Sequence, residues 1–310
     1  MRHCFNIGIR KSFVGEAMVI RLNVRKILLW AAVGAAALLF ALSFKNVYEK
    51  VQYASASTGV KEGVFLPIIM YHGIHQTRSD IGPYIVSVDT LESDLNYLKQ
   101  NGYTAVLMQD LVDYINVGKA LPQKPVMLTF DDGQYNNLFY AAPLLEKYGM
   151  KAIFSVVGTF TETASKTSDH SAAYSYLTWD EISQLAKLPY VEIGNHTYAM
   201  HAWGSRLGCV RTMFETAEEY EANLWADVTK LQNTLGERCG VLPITFVYPY
   251  GLTSPGSEDV LKEMDFCATM ICRESPNYIA RDPDELYRLN RYNRAGGLST
   301  EEFMARALKP

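Results

Sequence analysis

Two adjacent carboxylates, Asp131 and Asp132, close the run Thr129-Phe130-Asp131-Asp132-Gly133, directly after the apolar stretch Val126-Met127-Leu128. Side chains alternate faces along a strand, so one carboxylate can face a bound ion while its neighbour points elsewhere. Two acids at one strand end repel unless a positive charge or an ion shares the site. The plainer alternative is a turn whose carboxylates cap a following helix. Two histidines, His196 and His201, lie five residues apart in Asn195-His196-Thr197-Tyr198-Ala199-Met200-His201. That is not the i, i+4 pair of a regular helix, so a loop or tight turn must bring both imidazoles inward. Two His and one Asp form a facial set with open positions, which suits zinc or a similar divalent ion carrying water. His72, in Met70-Tyr71-His72-Gly73, and Tyr250, in Tyr248-Pro249-Tyr250-Gly251, also follow apolar runs. A single His is more often a hydrogen-bonded core or surface residue. Several His and Asp together at strand ends favour a site.

Such residues need a scaffold that gathers strand ends. Apolar runs at 66–71, 104–108, 126–130, 152–157, 191–195, 244–248 and 266–271 read as strands. Several are near-continuous Val, Ile, Leu and Phe, as expected of parallel strands buried on both faces. Helical spacing marks 88–101, 108–117, 136–148, 179–188, 218–235 and 257–264, and Asp89 and Asp180 sit near helix starts, where carboxylates suit the dipole. Repeated β-then-α units predict an α/β fold, a distorted (β/α)7–8 barrel, with an open doubly wound sheet as the alternative. In barrels of this kind, functional groups gather at the C-terminal strand ends. The stretches 159–175 and 201–217 read as loops. No Gly-rich phosphate-binding pattern follows a strand, so a nucleotide site lacks support.

The chain has 310 residues, nearly half of them apolar, and a net charge of -4. No basic stripe stands out beyond the N-terminus, so nucleic acid is not an expected partner. The uncharged apolar run 27–44 is just long enough to cross a bilayer as a helix. Arg21, Arg25 and Lys26 precede it, which places the N-terminus inside and the bulk of the chain outside. The predicted organisation is a short basic cytoplasmic segment at 1–26, a transmembrane anchor at 27–45, a polar linker at 46–62 and a catalytic domain at 63–310. A cleaved signal peptide is the rival reading, with triplets at Ala41-Leu42-Ser43 and Ala54-Ser55-Ala56, and would make the domain secreted. Met18 is an alternative start. The five cysteines, Cys4, Cys209, Cys239, Cys267 and Cys272, form no CxxC pair, so a thiolate zinc site is not expected. Pairings of Cys209 with Cys239 or Cys267 with Cys272 stand beside buried free thiols.

Thr-Phe-Asp-Asp-Gly at 129–133, His-Thr-x-x-x-His at 196–201 and Tyr-Pro-Tyr-Gly at 248–251 together resemble the polysaccharide deacetylases, the NodB-homology domain of carbohydrate esterase family 4. Ile68-Ile69-Met70-Tyr71-His72-Gly73 and Tyr176-Leu177-Thr178-Trp179-Asp180-Glu181 look similar too, and the resemblance spans about 63–300. It implies that Asp131 is the catalytic base and that Asp132, His196 and His201 hold the metal. Tyr250 would stabilise the oxyanion through its backbone N–H. The implied cofactor is zinc, with cobalt, nickel or iron also accepted by two His and one carboxylate. The implied partner is an N-acetylated glycan.

Three departures carry information. The five-residue histidine spacing resembles the branch that deacetylates poly-N-acetylglucosamine. The usual third motif carries an Arg two residues before its Pro, where this chain has Val247. An Arg that orients the base must then come from elsewhere, and of Arg288, Arg291 and Arg294, Arg291 is the first choice. The usual late Leu-x-His is replaced by Leu289-Asn290-Arg291, and no His follows His201. By resemblance to the same branch, His72 is assigned the general acid, and His75 is expected to face solvent. Tyr198, Trp203 and Tyr250 are expected to line a sugar groove, Trp203 being the better stacking residue, and Tyr248 is expected in the core. The leading reading is a metal-dependent N-deacetylase of an envelope polysaccharide, peptidoglycan or poly-N-acetylglucosamine. The alternatives are a non-catalytic glycan-binding module and a small-molecule amide hydrolase or O-deacetylase.

Overall fold

The computed structural model describes residues 9–14, 17–22, 63–76 and 81–310. The expected membrane span at 27–44, the linker at 46–62 and Cys4 lie outside the described residues. Among the described residues no helix is long and apolar enough to cross a membrane. The chain divides into two compact units, Met1–Val60 and Lys61–Pro310. In the first, β1 (Ile9–Val14) and β2 (Ala17–Leu22) pair antiparallel, where only a basic segment was expected. The basic residues there are interleaved with Val and Ile, which favour strands.

The second unit is built on parallel strands. Its β3 (Val64–Leu66), β4 (Ile68–Tyr71), β5 (Gly73–His75), β6 (Ile85–Ser87), β7 (Thr104–Ala105) and β8 (Pro125–Phe130) come first. They are followed by β9 (Ala152–Val156), β10 (Val191–Asn195), β11 (Thr245–Val247), β12 (Ala268–Met270), β13 (Asn277–Ile279) and β14 (Tyr292–Asn293). The sheet runs in the order β12-β11-β10-β9-β8-β4-β14, parallel throughout, and β7 also pairs with β8. It curls until its ends meet. Leu289 N–H donates to Thr269, Ile271 N–H donates to Leu289, and β14, a few residues on, pairs with β4. This is a curled parallel α/β sheet of the expected class.

Alternation along β8 decides what faces inward. Val126, Leu128 and Phe130 pack with the surrounding helices, while Met127 joins Ile68, Ile153, Val247 and Met270 in a second apolar cluster inside the curl. Thr129 and Asp131 share Met127's parity, so the strand delivers them to the interior, further toward its C-terminal end.

The helices are α1 (Val88–Gln100), α2 (Met108–Asn116), α3 (Ala142–Tyr148), α4 (Gly158–Ala164), α5 (Trp179–Leu185), α6 (Ala217–Cys239), α7 (Ser257–Glu263) and α8 (Thr300–Ala307). Some expectations need correction. The strand expected at 104–108 keeps only two residues, because Asp110 accepts the Leu107 N–H at 3.0 Å and starts α2 at Met108. The helix expected at 136–148 opens with a π-turn, Asn137–Ala141, before α3. Pro143 lacks the N–H that a continuous α-helix would use there. The loop expected at 159–175 begins with α4. The four described cysteines are free, so neither pairing forms.

Candidate active site

The chain turns sharply at the end of β8. Asp132 and Gly133 both take left-handed backbone angles, φ 69° each. Asp tolerates that region better than bulky residues do. A Cβ at Gly133 would press on Val156 at 3.1 Å. The turn swings Asp132 away from Asp131 toward the histidines. His196 follows β10 and donates its Nδ1–H to the Val247 carbonyl at 2.7 Å. A carbonyl can only accept, so the lone pair is on Nε2. That atom lies 3.6 Å from Asp132 Oδ1, and His201 Nε2 lies 3.2 Å from the same oxygen. The three donor atoms all fall within 4.8 Å of one another. Asp132 Oδ1 is buried yet has no hydrogen-bond partner with acceptable geometry. An unsatisfied buried carboxylate oxygen facing two imidazole nitrogens fits a divalent cation. Carboxylate and imidazole donors suit zinc as well as neighbouring transition metals.

Electrostatics agree with that fit. Burial pushes the His196 imidazole down to about 4, even against the pull of the Asp131 carboxylate, so it is neutral and ready to ligate. Burial opposes a charged His201, but Asp132 beside it raises its proton affinity above the ordinary value. Burial would also raise Asp132, and His201, His72 and His196 outweigh it and lower its pKa.

Asp131 belongs to a different set. Arg291 Nη1 donates to its Oδ1 at 2.8 Å, with both side chains essentially inaccessible. The guanidinium is held on every side. Its Nε–H donates to the Ile271 carbonyl at 3.0 Å, Nη1 reaches Thr129 Oγ1 at 3.2 Å, and Nη2 reaches Cys272 Sγ at 3.5 Å. Burial would raise the Asp131 carboxyl, but Arg291, then His196 and His72, hold it well below the usual carboxylate range. Of the three arginines considered, Arg294 is committed to Asp94 and Arg288 is exposed. Val247, where the family pattern has Arg, supplies the carbonyl that orients His196.

His72 follows β4 and stands against Tyr84, ring centroids 4.9 Å apart. Its Nδ1 is buried with no hydrogen-bond partner. The ring stands close enough to Asp131 and Asp132 to favour the ionised form of both, which sets it at the same rim. His75 lies on β5 and is half-buried rather than solvent-facing. Tyr250 sits in the turn Pro249–Gly251 at φ 59°, its ring 4.7 Å from His201 and its hydroxyl 3.4 Å from His201 Nδ1.

A family model described as polysaccharide deacetylase matches residues 118–269, a span that holds Asp131, Asp132, His196 and His201. The chain carries a polysaccharide deacetylase domain. The poly-beta-1,6-N-acetyl-D-glucosamine N-deacetylase of Escherichia coli (strain K12) is 28% identical over 217 residues, 64% of this chain and 32% of that protein. The chain therefore spans about a third of that curated relative's length. A solved de-N-acetylase from Aggregatibacter actinomycetemcomitans aligns with TM-score 0.65 and 25% identity, over 76% of this chain and 96% of that one. IcaB from Ammonifex degensii shares the fold, with TM-score 0.62 and 24% identity over 79% of this chain and 97% of that one.

Aromatic rings surround the candidate metal site. Trp203 is 80% exposed and packs edge-on against Tyr250. Tyr198, expected in the groove, is instead engaged under Lys230, whose Nζ lies 3.8 Å from the ring centre. Tyr248 is buried and donates to Ser257, as a core residue. Several further contributors have no motif to mark them in the sequence. Phe160 lies against both His201 and Tyr176. Burial, then the Asp132 carboxylate and Tyr250, raise the Tyr176 phenol. Phe160 falls in the stretch 159–175, which reads as a loop from sequence. Cys272 and Thr129 carry no signal until Arg291 is seen to rest on them.

Proposed function

We propose that this domain is a metal-dependent N-deacetylase acting on an N-acetylated polysaccharide of the poly-N-acetylglucosamine type. The observation that carries the reading is the pair of adjacent carboxylates split between two partners, Asp132 with two imidazoles and Asp131 with a buried guanidinium. Asp132, His196 and His201 would hold the ion, zinc first, with cobalt, nickel or iron as alternatives. Such an ion lowers the pKa of water and polarises an acetamide carbonyl. Asp131, kept ionised by Arg291, takes the proton of the attacking water. The Tyr250 N–H is assigned to the oxygen on which negative charge develops. His72 protonates the departing amine, and acetate leaves. Trp203, beside Tyr250, offers a flat apolar face for a pyranose ring. The substrate class rests on the curated relative together with the five-residue histidine spacing.

Localisation follows from the N-terminal sequence. We propose a single-pass anchor at 27–45 with the domain on the extracytoplasmic side, which protease protection in sealed vesicles tests. For the activity, acetate release from N-acetylglucosamine oligomers and peptidoglycan strands is compared between wild type and Asp131→Asn. Losing the base should lower turnover by about 10²–10⁴-fold. Equal release by both proteins sinks the enzyme reading. Chelation should abolish the activity and zinc restore it.

A further inference from the structure

Five-residue spacing between two metal ligands poses a backbone problem, because the intervening residues belong to no helix or strand. Thr197 turns the chain at φ 74°, and the N–H groups of Thr197, Tyr198 and Ala199 lose regular partners. Asn195 Oδ1 accepts the Thr197 N–H at 2.9 Å. The next two are taken by one side chain. Asp227 Oδ1 accepts from Tyr198 N–H at 2.7 Å, and Asp227 Oδ2 accepts from Ala199 N–H at 2.8 Å. On the other side of the loop, the Thr197 and Tyr198 carbonyls accept from Gly158 and Thr159 at the start of α4. The turn is thus gripped by its N–H groups from α6 and by its carbonyls from α4, and His201 lies two residues beyond the grip.

We infer that Asp227 is a positioning residue for the metal-binding loop, setting where the His201 imidazole stands relative to Asp132 and His196. Only an ionised carboxylate offers two equivalent acceptors for two neighbouring N–H groups. The rest of α6 supports this division of labour. Its packing face is Tyr220, Leu224, Val228, Leu231 and Leu235, all buried, and Asp227, three residues after Leu224 and four before Leu231, stands half-buried at the edge of that face, where it meets the loop. Asn195 ties the start of the loop to the same helix, donating to the Val228 carbonyl at 3.3 Å and to Gln232 Oε1 at 3.1 Å. Lys230, over the Tyr198 ring, places a positive charge on the same helix next to the gripped segment. The grip turns an otherwise loose spacing into a fixed ligand geometry.

The inference rests on the proposed metal reading, and the test separates the two. Zinc affinity of the full chain is measured by chelator competition for wild type, Asp227→Asn, Asp227→Ala and Leu235→Ala. Melting of the metal-free proteins is followed in parallel. Outer partners of metal ligands typically contribute about 10–100-fold in affinity. Asp227→Ala should lose that much and Asp227→Asn, which keeps one acceptor oxygen, less. Leu235→Ala destabilises the same helix through its core, two turns from the loop, and should leave zinc affinity unchanged. If wild type does not bind zinc, the metal reading and this inference fall together. If wild type binds and Asp227→Ala binds equally tightly, or Leu235→Ala weakens binding as much, the positioning role alone is refuted.

Discussion

Replacing Arg291 by Met tests the link between the buried ion pair and the base. The guanidinium is 0% exposed and its Nη1 lies 2.8 Å from a carboxylate 2% exposed. Removing one partner of such a pair costs about 3–5 kcal/mol, because the other charge is left buried and alone. Domains are stable by about 5–15 kcal/mol, so the variant can remain folded at moderate temperature while melting earlier. The pH dependence is the sharper readout. With Arg291 present, Asp131 is depressed below its ordinary pKa. Its contribution to stability is therefore present above the unfolded carboxylate value of about 3.9 and is lost only as pH falls through the lower folded value. Without the guanidinium, burial is the largest influence left and pushes the carboxyl up. A proton then occupies the base at mildly acidic pH. The ratio of variant to wild-type kcat/KM should be highest in alkaline buffer. Toward acid it should fall by up to about tenfold per pH unit, since protonation of groups common to both proteins cancels in the ratio. Arg291→Lys keeps the charge but loses the fork that reaches Ile271, Thr129 and Cys272, so it should flatten the ratio without restoring the alkaline rate. The assay is acetate release across buffers, with melting measured in each. A ratio that is flat for Arg291→Met while its melting temperature drops would show that Arg291 supports the fold and not the base.

His72→Ala should bind zinc as wild type does yet turn over about 10²–10⁴-fold more slowly. Zinc lost in parallel, by chelator competition, would make His72 a ligand or a structural residue. Asp94 accepts from Arg294 Nε at 2.7 Å, Tyr71 at 3.0 Å and Thr300 at 2.6 Å, all buried. Asp94→Asn should destabilise by about 3–5 kcal/mol in denaturant unfolding, and an unchanged midpoint contradicts the account. Zinc affinity should fall about tenfold per pH unit below the raised pKa of His201, one proton competing, because His196 is already neutral down to about 4. A two-proton slope near neutrality would mean that His196 also charges there.

How much of this was legible follows from how local each feature is. Strand alternation alone separates Asp131 from Asp132, and the structure adds only that a left-handed Asp132 completes the separation. The near-continuous apolar run of β8 marks a strand buried on both faces, and the strand forms almost as drawn. Val106-Leu107-Met108 reads equally well as strand or helix start, and a capping contact from Asp110 decides it, which no run of apolar residues reveals. Contacts between distant residues are harder still. Arg291 stands 160 positions from Asp131 and Asp227 about 30 from the loop that it grips. Yet the two were not equally hidden. Val247 left a base without its orienting cation, and a buried carboxylate cannot go unpaired cheaply, so a late Arg had to be sought. The backbone N–H groups between His196 and His201 make a comparable demand, since a tight loop must satisfy them somewhere, but any acceptor on any neighbouring element can meet it. A demand for one charge type narrows the search to a few residues, whereas a demand for an acceptor narrows it hardly at all. That difference is why Arg291 could be named from sequence and Asp227 had to be seen.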